Sequence, residues 1–186
     1  FTKYRTYIDS KSTDHNLLAV EILEEQKALD HLPEYEKKII LTAVRLHGIK
    51  NLPENLDQKT ALHSKLIRDA DKLDIYRVLT EKYTRLAEDP ENFNLEIEHP
   101  DIPEYSQQII DAIFEEKQVG YNQIKTLNDM KLLILAMIYD INFKPTLEKI
   151  RRENYIDNFI KLLPENQTIT KVQKKLNDYI QKKLNQ

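Results

Sequence analysis

The sequence predicts an all-α fold, and three observations carry that expectation. Among 186 residues there are only 2 glycines, while Leu, Ile, Lys, Glu and Asn abound, a composition of helix formers with few breakers. Apolar residues recur at offsets of three and four along most of the chain, the period of a helix with one covered face. Alternating Val- and Thr-rich runs, which would mark strands, have no obvious place.

Helices are predicted over 13–29, 34–47 and 59–88, joined by segments bearing Pro33 and Pro53. Ser12 or Thr13 is placed to cap the first, whose apolar face is Leu18, Ala19 and Ile22. On the second, Ile40, Ala43 and Val44 lead to His47 on the same face, and Gly48 follows as the expected helix stop. The third carries Ile67, Ile75 and Val78 on one stripe and Leu62, Leu66 and Leu73 on another, so both sides call for cover. Over 89–105, Pro90, Pro100 and Pro103 stand among acidic residues and end the long helix. Lacking a glycine hinge, this segment reads as a connection rather than a lid.

Four more helices are predicted over 105–117, 123–142, 146–162 and 168–184. Leu127, Met130, Ile134, Met137 and Ile141 form a core stripe, as do Val172, Leu176, Tyr179 or Ile180, and Leu184. Lys171, Lys174, Lys175, Lys182 and Lys183 fall elsewhere on the last helix and read as a solvated face. The expected organisation is a site-bearing region over 1–88 and a helical region over 89–186 packed on it as part of the same domain.

A net charge of -3 gives no general pull towards nucleic acid or anionic lipid. With 0 cysteines there is neither a disulfide framework nor a thiolate metal site, which suits a reducing cytoplasm, the expected location. The most apolar run, 132–139, is too short to span a bilayer, so no membrane partner is expected. Homo-oligomerisation is left open.

Three side chains stand out chemically. Asp71 lies within one helical stripe of Ile67, Ile75 and Val78, where an ionised carboxylate costs several kcal/mol, on the order of a lost salt bridge, unless a cation, a metal or several donors compensate it. His15 and His47 likewise fall on the apolar faces of their helices. Taken singly, each histidine also reads as a satisfied core residue and Asp71 as an internal cap or ion pair. Taken together, three helices each aim a ligand-type side chain inwards. Imidazole and carboxylate without thiolate suit Mn, Fe, Co, Ni or Zn and, with more oxygen ligands, Mg.

At these residues the chain resembles the HD superfamily of metal-dependent phosphohydrolases, whose pattern runs H…HD…H…H…D. The segment from Asp14-His15-Asn16 to Ile22-Leu23 resembles the helix carrying the third histidine, and Val44-Arg45-Leu46-His47 the fourth. Arg68-Asp69-Ala70-Asp71-Lys72-Leu73-Asp74 resembles the closing helix, with Asp71 at the last ligand position. The resemblance covers about the first half of the chain. It implies an HD-domain-like helical bundle with additional C-terminal helices, and a divalent-metal site in which Asp71 serves one ion and His15 and His47 a second. It also implies hydrolysis of a phosphate ester or anhydride of a nucleotide or other small phosphorylated metabolite.

No His-Asp dipeptide occurs in the chain, so the pattern's first histidine and its His-Asp pair are expected upstream of Phe1. The alternative is a degenerate relative, a non-catalytic module that binds a nucleotide or a protein partner. Lys72, Arg68 and His63 are weaker candidates for binding substrate, each reading equally as a surface or ion-paired residue. Asp74 is placed to orient a ligand, Asp69 points nearly opposite Asp71, and His31 and His99 read as loop residues without a role.

Overall fold

The computed structural model describes residues 13–89, 91–92 and 99–186, and every regular element among them is helical. In order these are α1 (His15–Glu25), α2 (Glu34–Leu46), α3 (Gln58–Glu88), α4 (Gln107–Phe114), α5 (Leu127–Ala136), α6 (Lys144–Arg152), α7 (Tyr155–Ile160) and α8 (Gln167–Asn185). The all-α expectation holds. Short 3-10 turns at Tyr121–Gln123 and Met137–Asp140 precede and follow α5. None of the described helices is long and apolar enough to cross a membrane.

The chain forms two compact units, Phe1–Arg68 and Asp69–Gln186, and the division falls inside α3. In the first unit α1 packs on α2, with Val20, Ile39 and Ala43 buried between them. Asp14 rather than Thr13 caps α1, accepting from the N–H groups of Asn16 at 2.8 Å and Leu17 at 3.4 Å. Burial pushes the Asp14 carboxyl up, but these donors outweigh it and hold the group below its ordinary range. Ser12 lies outside the described residues. The helix then closes earlier than 29. Lys27 takes a left-handed φ of 51°, and the Ala28 N–H reaches back to Leu23 O at 3.1 Å, a helix stop usually given to glycine.

The second unit is built around α5. Its sequence stripe understates its burial, since Leu127 to Asp129 and Lys131 to Ala136 are all buried, as befits a helix covered on every side. Helix α8 packs on α4, α6 and α7 through Ile169, Val172, Leu176, Tyr179 and Ile180, the face that periodicity predicts. Tyr76 of α3 stacks on Tyr155 at 6.0 Å, and both Tyr76 and Tyr83 meet the edge or face of Phe159. The single helix predicted over 146–162 is broken in two. Asn154 adopts φ 54° between α6 and α7, as Asn does more readily than other non-glycine residues.

One buried charge joins the start of α4 to the start of α5. The carboxylate of Asp129, wholly inaccessible, accepts from the Ser106 N–H and hydroxyl at 2.6 and 2.8 Å and from the Lys125 and Thr126 N–H groups at 2.9 and 3.3 Å. Four donors replace the water that burial removes. Of the segment over 89–105, residues 90 and 93–98 lie outside the described residues, and so does that part of the reading of it as a connection.

Candidate functional site

The two histidines of the sequence pattern meet. Their ring centroids lie 5.1 Å apart with the planes at 69°. His15 stands in the first turn of α1 and is exposed, while His47 follows the last turn of α2 and is half-buried. The interior placement expected of His15 is therefore corrected: as the first helical residue it sits on the rim of its helix, beyond the part that packs.

His47 is held from two directions. Its Nδ1 lies 2.6 Å from Val44 O, so that nitrogen carries a proton and donates, which in the neutral ring leaves the lone pair on Nε2. The backbone behind it is fixed by Arg68, whose guanidinium, from the first unit's part of α3, donates to Leu46 O, His47 O, Ile49 O and Lys50 O. Leu46 O and His47 O are among the carbonyls that a helix C-terminus leaves unpartnered, and Ile49 O and Lys50 O belong to the loop that follows. Gly48 follows the end of α2 as expected, but without the positive φ of a glycine stop. A Cβ at Gly48 would stand 2.8 Å from both Asn16 Nδ2 and Asn16 Oδ1. The glycine is there because α1 comes that close.

The carboxylate expectation changes more. Asp71 is half-buried, and the deeply buried charges of α3 are its neighbours Arg68, Asp69 and Lys72. Asp69, expected on the opposite side and given no role, accepts from the Asn142 N–H and side-chain amide at 2.8 and 2.9 Å and from the Phe143 N–H at 3.0 Å, anchoring the turn before α6. Lys72 pairs with Asp140 at 2.7 Å. Asp74 pairs with Arg77 on the surface at 2.7 Å, and His63 is exposed. Asp71 and Lys72 belong to the second unit, the histidine pair to the first. Among the described residues no group of three or more His, Cys, Asp or Glu side chains is gathered to hold a metal ion.

Against known proteins, no family model, no curated protein and no solved structure matches this chain.

Sequence reasoning missed a polar face on α3. Thr60, Ser64 and Arg68 recur every fourth residue and are all buried, whereas Leu62 and Leu66, read as a stripe needing cover, are 46% and 47% exposed. The signal was legible as a four-residue spacing, but hydropathy ranks it last. Asn16 was missed as well. It is buried, and its Oδ1, like Ser64 Oγ, has no hydrogen-bond partner among the described residues.

The His15–His47 separation and tilt are those of an edge-to-face ring pair.

Proposed function

We propose that the chain carries part of an HD-type metal-dependent phosphohydrolase, acting on a phosphate ester or anhydride of a nucleotide or small phosphorylated metabolite. The observation that supports this reading is the His15–His47 pair, with His47 Nδ1 committed to Val44 O and Nε2 left as the donor. His15 and His47 would hold a divalent ion of the Mn, Fe, Co, Ni, Zn or Mg group. When bound, such an ion supplies Lewis acidity towards a phosphoryl oxygen and a more acidic water. The chain's own part is positional. Val44 O sets the tautomer and plane of His47, Arg68 fixes the peptide that bears it, and Asn16 against Gly48 sets the approach of α1 and hence of His15. The place of Asp71 as a ligand of a first ion comes from the resemblance. Arg68 supports His47 rather than phosphate in this reading, and His63, exposed, is the remaining substrate-facing candidate.

A second reading has one observation in its favour. Two imidazoles without a gathered third ligand among the described residues suit a degenerate site that binds without turnover. Cobalt(II) absorption and zinc calorimetry, followed by phosphate release over a nucleotide panel, separate the two. The phosphohydrolase reading expects saturable binding, weakened about 10- to 100-fold in His47→Gln, with metal-stimulated phosphate release lost in His47→Gln and Asp71→Ala. Saturable binding without turnover, also when the chain is assayed with its native upstream segment, selects the second reading. Metal uptake equal in wild type and a folded His15→Gln/His47→Gln variant overturns both as metal sites.

A further inference from the structure

The second unit holds a cleft of about 500 Å³ that the histidine pair does not use. Its lining is mixed, with an apolar wall that includes Tyr83, Leu86, Leu127 and Leu163 and a polar side that includes Asp101, Asn128, Lys131 and Lys161. Lys131 is 9% exposed. Its ammonium donates to Asn128 Oδ1 at 3.2 Å and to Leu162 O at 2.8 Å, both neutral acceptors. An ammonium has three donors, so one is left over. No carboxylate pairs with it among the described residues, and a buried cation in that condition is costly. Burial accordingly pushes the Lys131 ammonium below its ordinary range, with Asp101 opposing the shift.

We propose that this cleft binds a small organic monocarboxylate with an apolar body, its carboxylate on Lys131 Nζ and its body against the Tyr83–Leu127 wall. The charge balance argues for a monoanion. Lys131 and Lys161 against Asp101 leave one net positive charge in the lining, which one carboxylate neutralises, whereas a phosphate dianion would bring excess charge. Asp101, also lining the cleft, opposes that excess. Asn128 cannot serve as a second anion donor, because its amide already donates to Ile102 O and Glu104 O. Recognition is therefore monodentate, with the apolar body supplying the rest. Lys161, exposed and lining the same cleft, adds long-range attraction rather than a buried contact. The volume lies within the range of small-molecule pockets, about 300–1,000 Å³.

The test is calorimetric and NMR titration of the whole chain with benzoate, phenylacetate and 4-methylpentanoate, each against its primary amide. At least one acid should bind with Kd below about 1 mM and about tenfold or more tighter than its amide. Amide shifts should concentrate at Asn128, Lys131 and Leu162. Lys131→Met should lose about tenfold or more in acid affinity and Lys161→Met only a few-fold. Equal binding of acid and amide, no binding at about 10 mM, or full affinity in a folded Lys131→Met variant overturns the proposal. So does inorganic phosphate displacing the acids at equal concentration. Should Lys131→Met fail to fold, the acid-to-amide ratio on the unaltered protein decides.

Discussion

From Asp69 onwards the buried side chains are mostly Ile, Leu, Val, Phe and Tyr, with a polar minority at Asp69, Lys72, Thr126, Asn128, Asp129 and Lys131, whereas in the described interior up to Arg68 the polar Asn16, Thr60, Ser64 and Arg68 outnumber Val20, Ile39 and Ala43. The first kind of interior is held by area removed from water, which is non-directional and tolerates exchange among apolar residues of similar volume. The second depends on directional bonds, and each bond lost leaves a buried group without a partner. His47, half-buried, stands against the second kind, with the exposed His15 on its rim. A polar interior is costly to build but orients what it carries, and His47 is oriented by two backbone-directed contacts that no apolar packing would provide.

The largest effect expected from this contrast is at Phe159, wholly buried against Tyr76 and Tyr83. Phe159→Ala should lose about 3–5 kcal/mol in urea unfolding, and a loss under about 1 kcal/mol would erase the distinction between the two interiors. Next comes Arg68→Met, which keeps the stem and removes the donors from four carbonyls. About 2–3 kcal/mol should go, with hydrogen exchange accelerated at residues 46–50. Arg68→Lys should recover only part of this, because one ammonium cannot fork between four acceptors. Full recovery by lysine would show that charge, not geometry, holds the end of α2.

The smallest effect is on alkaline stability in the apolar unit. Burial pushes the Tyr83 hydroxyl up to about 12 and raises Tyr76 as well. Since the folded pKa lies above the unfolded one, the unfolded chain releases its protons first. The contribution is complete below about pH 10 and is lost as pH rises towards the folded value, at most about 1.4 kcal/mol per group per pH unit. Denaturant melts at pH 9, 10 and 11 should show the fall, and Tyr83→Phe should flatten it by about one group's share. An unchanged slope in Tyr83→Phe would place the alkaline loss elsewhere.

How far the sequence foretold these two interiors follows from what hydropathy measures. The face of α8 was readable because apolar period and packing agree there, whereas the burial of α5 on every side exceeds what its apolar stripe foretold. The break at Asn154 was not, since a left-handed asparagine leaves no mark in an apolar repeat. Within the site, motif order brought out His15 and His47, which meet. It gave Asp69 no role and left Arg68 and Lys72 between a substrate contact and an ion pair, because charged residues count as exposed in any such reading. Their burial is decided by carbonyls at 46–50, amides at 142–143 and the carboxylate of Asp140, all distant in sequence. Gly48 shows the same limit: its neighbour Asn16 is 32 residues away (48 − 16).

Asp129 carries a consequence for how the second unit assembles. Its donors come from the turn before α5 and from Ser106 at the start of α4. A partly docked arrangement, with α5 covered but α4 still away, would hold a dehydrated carboxylate with half its donors missing. Such an intermediate is worse than either the separated or the joined state. The junction therefore favours α4 and α5 docking together, since Asp129 finds its full set of donors only when both are in place.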